Sequence, residues 1–157
     1  MLLLRPAYSL LISILLIASS AWPAAAQSLL PQTAGERAQF DAMIEMPKGY
    51  VSGMCVIVHD GDQLKGCIFN EFGITALGFT YQLDKKKVKL NSVLPMLNKW
   101  YIKRTIKKDL KQVILALERG ETSYVNERRH ITYQFKPTAA IVDEQPIQEE
   151  PEYDLPQ

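Results

Sequence analysis

Short runs of this chain alternate apolar and polar residues with a period of two, and one longer run breaks the alternation with helical spacing. In QFDAMIEM the even positions Phe40, Ala42, Ile44 and Met46 are apolar, while Gln39, Asp41 and Glu45 are polar. ITALGFTYQL sets Leu77, Phe79, Tyr81 and Leu83 on one side, KVKLNSVL continues with Val88, Leu90 and Leu94, and HITYQF supplies Ile131, Tyr133 and Phe135. Strands that bury one face read this way. VSGMCVIVHDGDQLKGCIF adds a strand pair and TSYVNE a further strand, so about seven are expected. The intervening loops are short and turn-rich, at Asp60-Gly61, Asn70 to Gly73 and Asp84 to Lys86, which predicts an antiparallel meander.

The exception runs from Met96 to Glu118. Ile102, Ile106, Leu110, Val113, Ile114 and Leu117 recur at helical spacing, with lysines over the opposite face. Pro95 suits a first turn and Gly120 a C-terminal cap, so a helix of about 20 residues is expected, bent near Arg104. The chain is thus an α+β protein: strands, one amphipathic helix, then strands.

Both cysteines lie in the strand pair around the Asp60-Gly61-Asp62 turn. A three-residue loop keeps Met54, Val56 and Val58 on the side of Leu64, Gly66 and Ile68, which gives one continuous apolar face. A two-residue Asp60-Gly61 loop sets Val56 against Lys65, and a slip of one residue exchanges the faces wholesale. The uniform face favours the three-residue loop. If its residues are Asp60, Gly61 and Asp62, Cys55 stands directly opposite Cys67, within reach of a disulfide. If they are His59, Asp60 and Gly61, the cysteines are diagonal neighbours too far apart to bridge easily. A bonded pair and two buried thiols both remain open. Metal binding does not, since only His59 and His130 could assist and zinc needs three or four ligands at chelating spacing.

The opening MLLLRPAYSLLISILLIASSAWPAAAQ has one positive charge at Arg5, an apolar run from Leu10 to Ile17, and small residues ending at Ala26. That is the layout of a secretory signal peptide over residues 1–26, and the run is short for a span that needs roughly 20 apolar residues. An uncleaved anchor is the alternative. No cysteine follows the cleavage point, so lipidation there is not expected. Residues 27–37 read as a linker and 38–136 as the folded domain. Residues 137–157 carry six acids and no base and are rich in proline, the composition of a disordered tail.

Charge is uneven within the domain. Between Lys85 and Lys111 stand ten basic residues against the single acid Asp109. Lys99, Lys103, Arg104, Lys107, Lys108 and Lys111, with Trp100 and Tyr101 beside them, form a surface suited to anionic lipid head groups or an envelope protein. Nucleic acid could use the same charge, but an exported chain rarely meets it. No nucleophile elbow, phosphate loop, dinucleotide fingerprint or HExxH motif occurs, so neither a cofactor nor a catalytic residue is expected. His130 follows Arg128 and Arg129 on what reads as a solvated polar face. Asp60 and Asp62 are turn residues, short of the oxygen count of a calcium site.

The strand pair with its DG turn, the strand ending in Phe72-Gly73 that leads to the next apolar strand, and the helix carrying Asp109-Leu110 together resemble the LolA/LolB family of outer-membrane lipoprotein carriers and acceptors. The resemblance spans Lys48 to Phe135. It implies a half-open β-barrel with the helix in its concave side, an apolar cavity for acyl chains or lipidated proteins, and an envelope location in a Gram-negative type of cell, in the periplasm or at the outer-membrane periphery. The acceptor's lipidation cysteine is missing, and the folded region is shorter than in either family member. The expected function is non-catalytic binding of lipid or acyl-bearing cargo. The cavity wall is expected from Met54, Val56, Val58, Leu64, Ile68, Leu77, Phe79 and Tyr81, with Trp100, Ile106, Leu110 and Ile114 on the helix side. An adaptor that binds another envelope protein through a sheet edge and the basic helix is the alternative.

Overall fold

The computed structural model describes residues 26–143, which build one curled antiparallel sheet with one helix against it. The strands are β1 (Glu36–Met46), β2 (Gly49–Asp60), β3 (Gln63–Phe69), β4 (Thr75–Gln82), β5 (Lys87–Val93), β6 (Ser123–Asn126) and β7 (Ile131–Asp143). The helix α1 (Trp100–Glu118) lies between β5 and β6 in the chain. The sheet order is β5-β4-β3-β2-β1-β7-β6, so the first five strands meander and the last two return beside β1. A small barrel needs about eight strands to close. Here α1 stands in for the missing wall: its backbone approaches the two edge strands, β5 and β6, more extensively than any other strand.

The inner face is continuous and apolar. Phe40 and Ile44 of β1, Cys55 and Ile57 of β2, Leu64 and Ile68 of β3, Leu77 and Phe79 of β4, and Tyr133 and Phe135 of β7 are buried in one cluster with Ile106, Leu110, Val113, Ile114 and Leu117 of α1. The chain reaches α1 through a 3-10 turn, Pro95–Leu97, with Leu97 buried. The expected start at Met96 is therefore displaced to Trp100, because the chain breaks at Asn98 and Lys99 and not inside the helix at Arg104. At the other end Gly120 takes φ +81, its N–H donates to the Leu117 carbonyl, and the Glu121 N–H donates to that of Ala116. This is a Schellman ending, which satisfies carbonyls the helix leaves free.

The β2–β3 register corrects the expectation. Asp60 pairs with Gln63, so the connection is the two-residue turn Gly61-Asp62, with Gly61 at φ +61. A glycine at the first central position with positive φ suits a type II′ turn, whose twist matches that of the flanking strands. Cys55 then faces Ile68, and Cys67 faces Val56. Faces exchange as a one-residue slip requires. Cys55 and Ile57 point inward with Leu64 and Ile68, whereas Met54, Val56 and Val58 lie on the outer face with Lys65, Cys67 and Phe69. The expected wall positions Met54, Val56 and Val58 are accordingly not part of the interior. The neighbour on the other side decides this: the two-residue turn at Pro47-Lys48 sets Cys55 across from Phe40 and Val51 across from Ile44, on the buried side of β1.

The same register separates the thiols. Residues whose Cβ vectors leave opposite faces cannot be bridged without backbone movement, and Cys55 and Cys67 are free. Burial, with a smaller effect from Cys67, pushes the Cys55 thiol far above its ordinary range, so it stays neutral and unreactive. A thiol reagent should count two thiols in unfolded, unreduced protein but modify only half-buried Cys67 in the folded state. Fewer than two in the unfolded protein would contradict this register.

Gly66 faces Phe79 across β3 and β4. The ring lies on the glycine so closely that an added Cβ would fall 2.1 Å from Phe79 Cζ. Gly66→Ala should therefore destabilise by about 1–3 kcal/mol in urea unfolding, since overpacking a full core forces side chains off their rotamers. A change under about 0.5 kcal/mol, the range of neutral surface changes, would show that the ring has room to move.

The domain is longer than expected at both ends. Within residues 27–37, Leu30 is buried and the Leu29 N–H donates to the Leu117 carbonyl at 2.9 Å. These residues pack on the helix C-terminus and lead straight into β1. β7 continues past 136 to Asp143, which pairs with Glu36. A long partner strand in β1 supplies the hydrogen bonds that composition alone does not suggest. The segment expected to be a signal peptide, apart from Ala26, and the acidic stretch from 144 onward lie outside the described residues. Among the described residues no helix is long and apolar enough to cross a membrane.

Candidate functional site

The expected hollow is occupied. Leu64, Ile68, Leu77, Phe79 and Tyr81 on the sheet and Ile106, Leu110 and Ile114 on α1 are each at most 4% exposed. They pack in one cluster instead of lining an open cavity. The exceptions lie at the two ends: near the α1 C-terminus Leu64, Tyr81 and Ile114 border a cavity of about 270 Å³, together with His59 and the polar Gln32, Lys86 and Glu118, and Ile106 borders a cavity at the opposite end. Trp100, placed by its sequence on the helix's inner side, is instead 73% exposed.

The other end of the half-barrel, its mouth, is built differently. Three segments meet there: the β1–β2 turn, the start of α1 and the β6–β7 turn. An apolar cavity of about 380 Å³ runs between Met46 and Pro47 of the first, Tyr101, Ile102 and Ile106 of the second, and Arg129 and Ile131 of the third. Against it lies a polar cavity of about 350 Å³, bounded by Trp100, Arg104 and Lys108 of α1 and by Arg128 and Arg129 of the turn. Tyr101, Thr105 and Arg129 line both. The Trp100 and Tyr101 rings meet edge to face at 6.0 Å, and Met96 reaches the β1–β2 turn at Gly49.

Asp109 forms the floor of the polar cavity and holds the mouth together. It is the one buried charged residue among those described. Its carboxylate accepts hydrogen bonds from Asn126 Nδ2 at 2.9 and 3.0 Å and from the Tyr133 hydroxyl at 2.9 Å. Asn126 Oδ1 in turn accepts the Arg129 N–H at 3.2 Å. A chain of bonds thus runs from the helix to the turn that carries Arg128 and Arg129. Burial first, then the Asp109 charge, pushes the Tyr133 hydroxyl far above its ordinary range, so it remains a donor to the carboxylate.

Of the basic residues singled out in the sequence, Arg104 and Lys108 line the polar cavity. Lys99, Lys103, Lys107 and Lys111 lie outside the buried stripe of α1, half-buried or exposed. Among the described residues none of these six, nor Arg128 or Arg129, has a carboxylate within ion-pair distance; the ion pairs present are Lys65 with Asp60, Lys85 with Asp84 and Arg119 with Glu121. His59 and His130 sit at opposite ends of the strands, roughly 30 Å apart along a ten-residue run. Among the described residues no three of His, Cys, Asp and Glu converge as a metal site would require.

Comparison with known proteins finds no match. Neither a family model nor a curated protein nor a solved structure matches the chain.

Sequence reasoning missed Arg128, Arg129 and the function of Asp109. The signal for Asp109 was present: position 109 falls between Ile106 and Leu110 on the apolar stripe of α1. An acid there must find donors or pay heavily for burial. Nothing in the strand pattern could show that the β6–β7 turn would meet the start of α1.

A further concavity, about 650 Å³, lies on the outer face of β7, β1, β2 and β3, where Met43, Met54 and Phe69 provide apolar surface. Beside it the Asn70–Ile74 loop is braced by the Phe72 and Ile74 N–H groups donating to Asn70 Oδ1. It holds Phe72 at 78% and Ile74 at 56% exposure.

Proposed function

We propose that this protein is a non-catalytic binder of acyl-bearing amphiphiles, lipids or lipid-modified proteins, in the bacterial cell envelope, and that it takes them at the mouth of the half-barrel. The observation that carries this reading is the contact of an apolar cavity with a cationic one under an exposed tryptophan. An acyl chain needs the first and a polar head group the second. Pockets for such ligands are mostly apolar with a few placed polar groups, and aromatic residues beside cations suit a lipid interface. The filled interior moves the site from the hollow implied by the family resemblance to its rim. Export to the periplasm or the outer-membrane periphery belongs to the same proposal, as does contact of the lysine face of α1 with anionic membrane.

A fluorescent fatty acid should bind the purified protein and be displaced by unlabelled chains. Ile102→Gln, which puts an amide into the apolar cavity, should weaken it about tenfold, equivalent to about 1.4 kcal/mol. Met54→Gln on the outer face should leave it unchanged. Absence of binding, or the reverse order of the two variants, would remove the reading.

The second reading is an adaptor that grips another envelope protein, and the outer face favours it. Met54 in the groove and Phe72 and Ile74 on the loop beside it are exposed large apolar residues, and clustered apolar surface is what marks protein interfaces. Strand addition is a poorer route, since Lys87 and Lys89 line β5 and β6 has only four residues. Site-specific cross-linking from position 72 to one defined envelope protein, lost in Phe72→Asp, would support the adaptor.

A further inference from the structure

Resting on the reading above, we infer that the polar cavity at the mouth is a head-group subsite for a phosphate-class anion whose acyl chain occupies the adjoining apolar cavity. Four cations converge on it from two elements: Arg104 and Lys108, one helical turn apart on α1, and Arg128 and Arg129, consecutive in the β6–β7 turn. Like charges so placed repel one another, and among the described residues none is paired with an acid. The one carboxylate in the cavity does not relieve them. Asp109 is 3% exposed and its oxygens already accept from Asn126 and Tyr133.

The arrangement is held open by construction. Asp109 fixes Asn126, and Asn126 fixes the backbone of Arg129, so the turn cannot easily withdraw its arginines from the helix. An anion entering the cavity meets guanidinium groups, whose planar forks bind two oxygens at once. A carboxylate offers two oxygens and one charge. A phosphate ester offers three or more directions and up to two charges, which fits cations arriving from two sides. Tyr101, Thr105 and Arg129 belong to both cavities, so a ligand with its phosphate among the arginines has its first methylenes beside Tyr101 and its chain toward Ile102 and Met46.

The test uses two soluble amphiphiles of equal chain length, lysophosphatidic acid and the neutral monoacylglycerol, titrated calorimetrically below their aggregation limits into the full chain. The phosphorylated ligand should bind at least tenfold more tightly. Arg104→Gln with Arg128→Gln, residues that line the polar cavity alone, should erase that preference while the monoacylglycerol affinity and the melting temperature hold. Vesicles of phosphatidylglycerol and of phosphatidylcholine, compared in parallel, distinguish a bilayer head group from a free phosphorylated lipid, and a preference lost in the double variant supports the subsite in either presentation. Equal binding of both amphiphiles overturns the head-group subsite and leaves the acyl site standing. Binding of neither overturns both.

Discussion

Phe40→Ala is expected to lower the free energy of unfolding by about 3–5 kcal/mol, the usual range for emptying a buried aromatic position. Phe40 is 1% exposed, near the middle of β1, an interior strand flanked by β2 and β7. It pairs with Cys55 on one side and Pro137 on the other, and its ring meets Phe135 edge-on at 6.3 Å. Its neighbours are backbone-paired on both sides and cannot collapse into the space. Small domains are stable by about 5–15 kcal/mol in total, so this one change should leave a clearly weakened fold. Urea unfolding with Val125→Ala, on exposed β6 surface, as a control would measure it. A loss under about 1 kcal/mol, the centre of the distribution for arbitrary substitutions, would place the stability of this molecule elsewhere than at β1.

Asp109→Ala should cost about 2–4 kcal/mol, because the buried Tyr133 hydroxyl loses its acceptor at about 1–3 kcal/mol and the half-buried Asn126 amide loses a bond as well. The cost has a signature that simple loss of packing lacks. Tyr133→Phe alone removes a bond to a charged acceptor, worth about 1.5–3 kcal/mol. In the Asp109→Ala background it removes an unsatisfied hydroxyl instead, so its cost should vanish or reverse. A double-mutant cycle reads this directly. Additive effects would mean that the carboxylate and the hydroxyl do not depend on each other. The Asp109 variant should also loosen the β6–β7 turn, and faster amide exchange at Arg129 would report it.

Much of the fold was legible because burying one face of a strand imposes a period of two and burying one stripe of a helix imposes 3.6. Phe40, Ala42 and Ile44, then Leu77, Phe79 and Tyr81, and Ile131, Tyr133 and Phe135 all lie inside as their alternation requires. The stripe from Ile106 to Leu117 meets them. β2 was different. Met54, Val56 and Val58 and the alternate set Val51, Cys55 and Ile57 are both apolar, so the strand's own pattern is degenerate between its faces. With no contrast to read, uniformity of one face was a poor guide, and the disulfide geometry fell with it.

The candidate site was less legible than the fold. Trp100, Arg104 and Lys108 were visible as exposed chemistry on a helix, whereas Arg128 and Arg129 read as an ordinary polar turn. Their convergence depends on β7 pairing with β1, which brings the last hairpin back to the start of α1. That pairing joins residues about ninety positions apart in the chain, and no local pattern encodes it.

The sequence by itself therefore determined which segments are strands, which one is the helix, and which stripe of that helix is buried, because each follows from local periodicity and end signals. Only the tertiary structure decided which face of β2 turns inward, that α1 fills the hollow instead of leaving room for cargo, and that two arginines from a turn join two cations on α1. Those outcomes depend on register and on closure of the sheet, and both are set by partners distant in the chain.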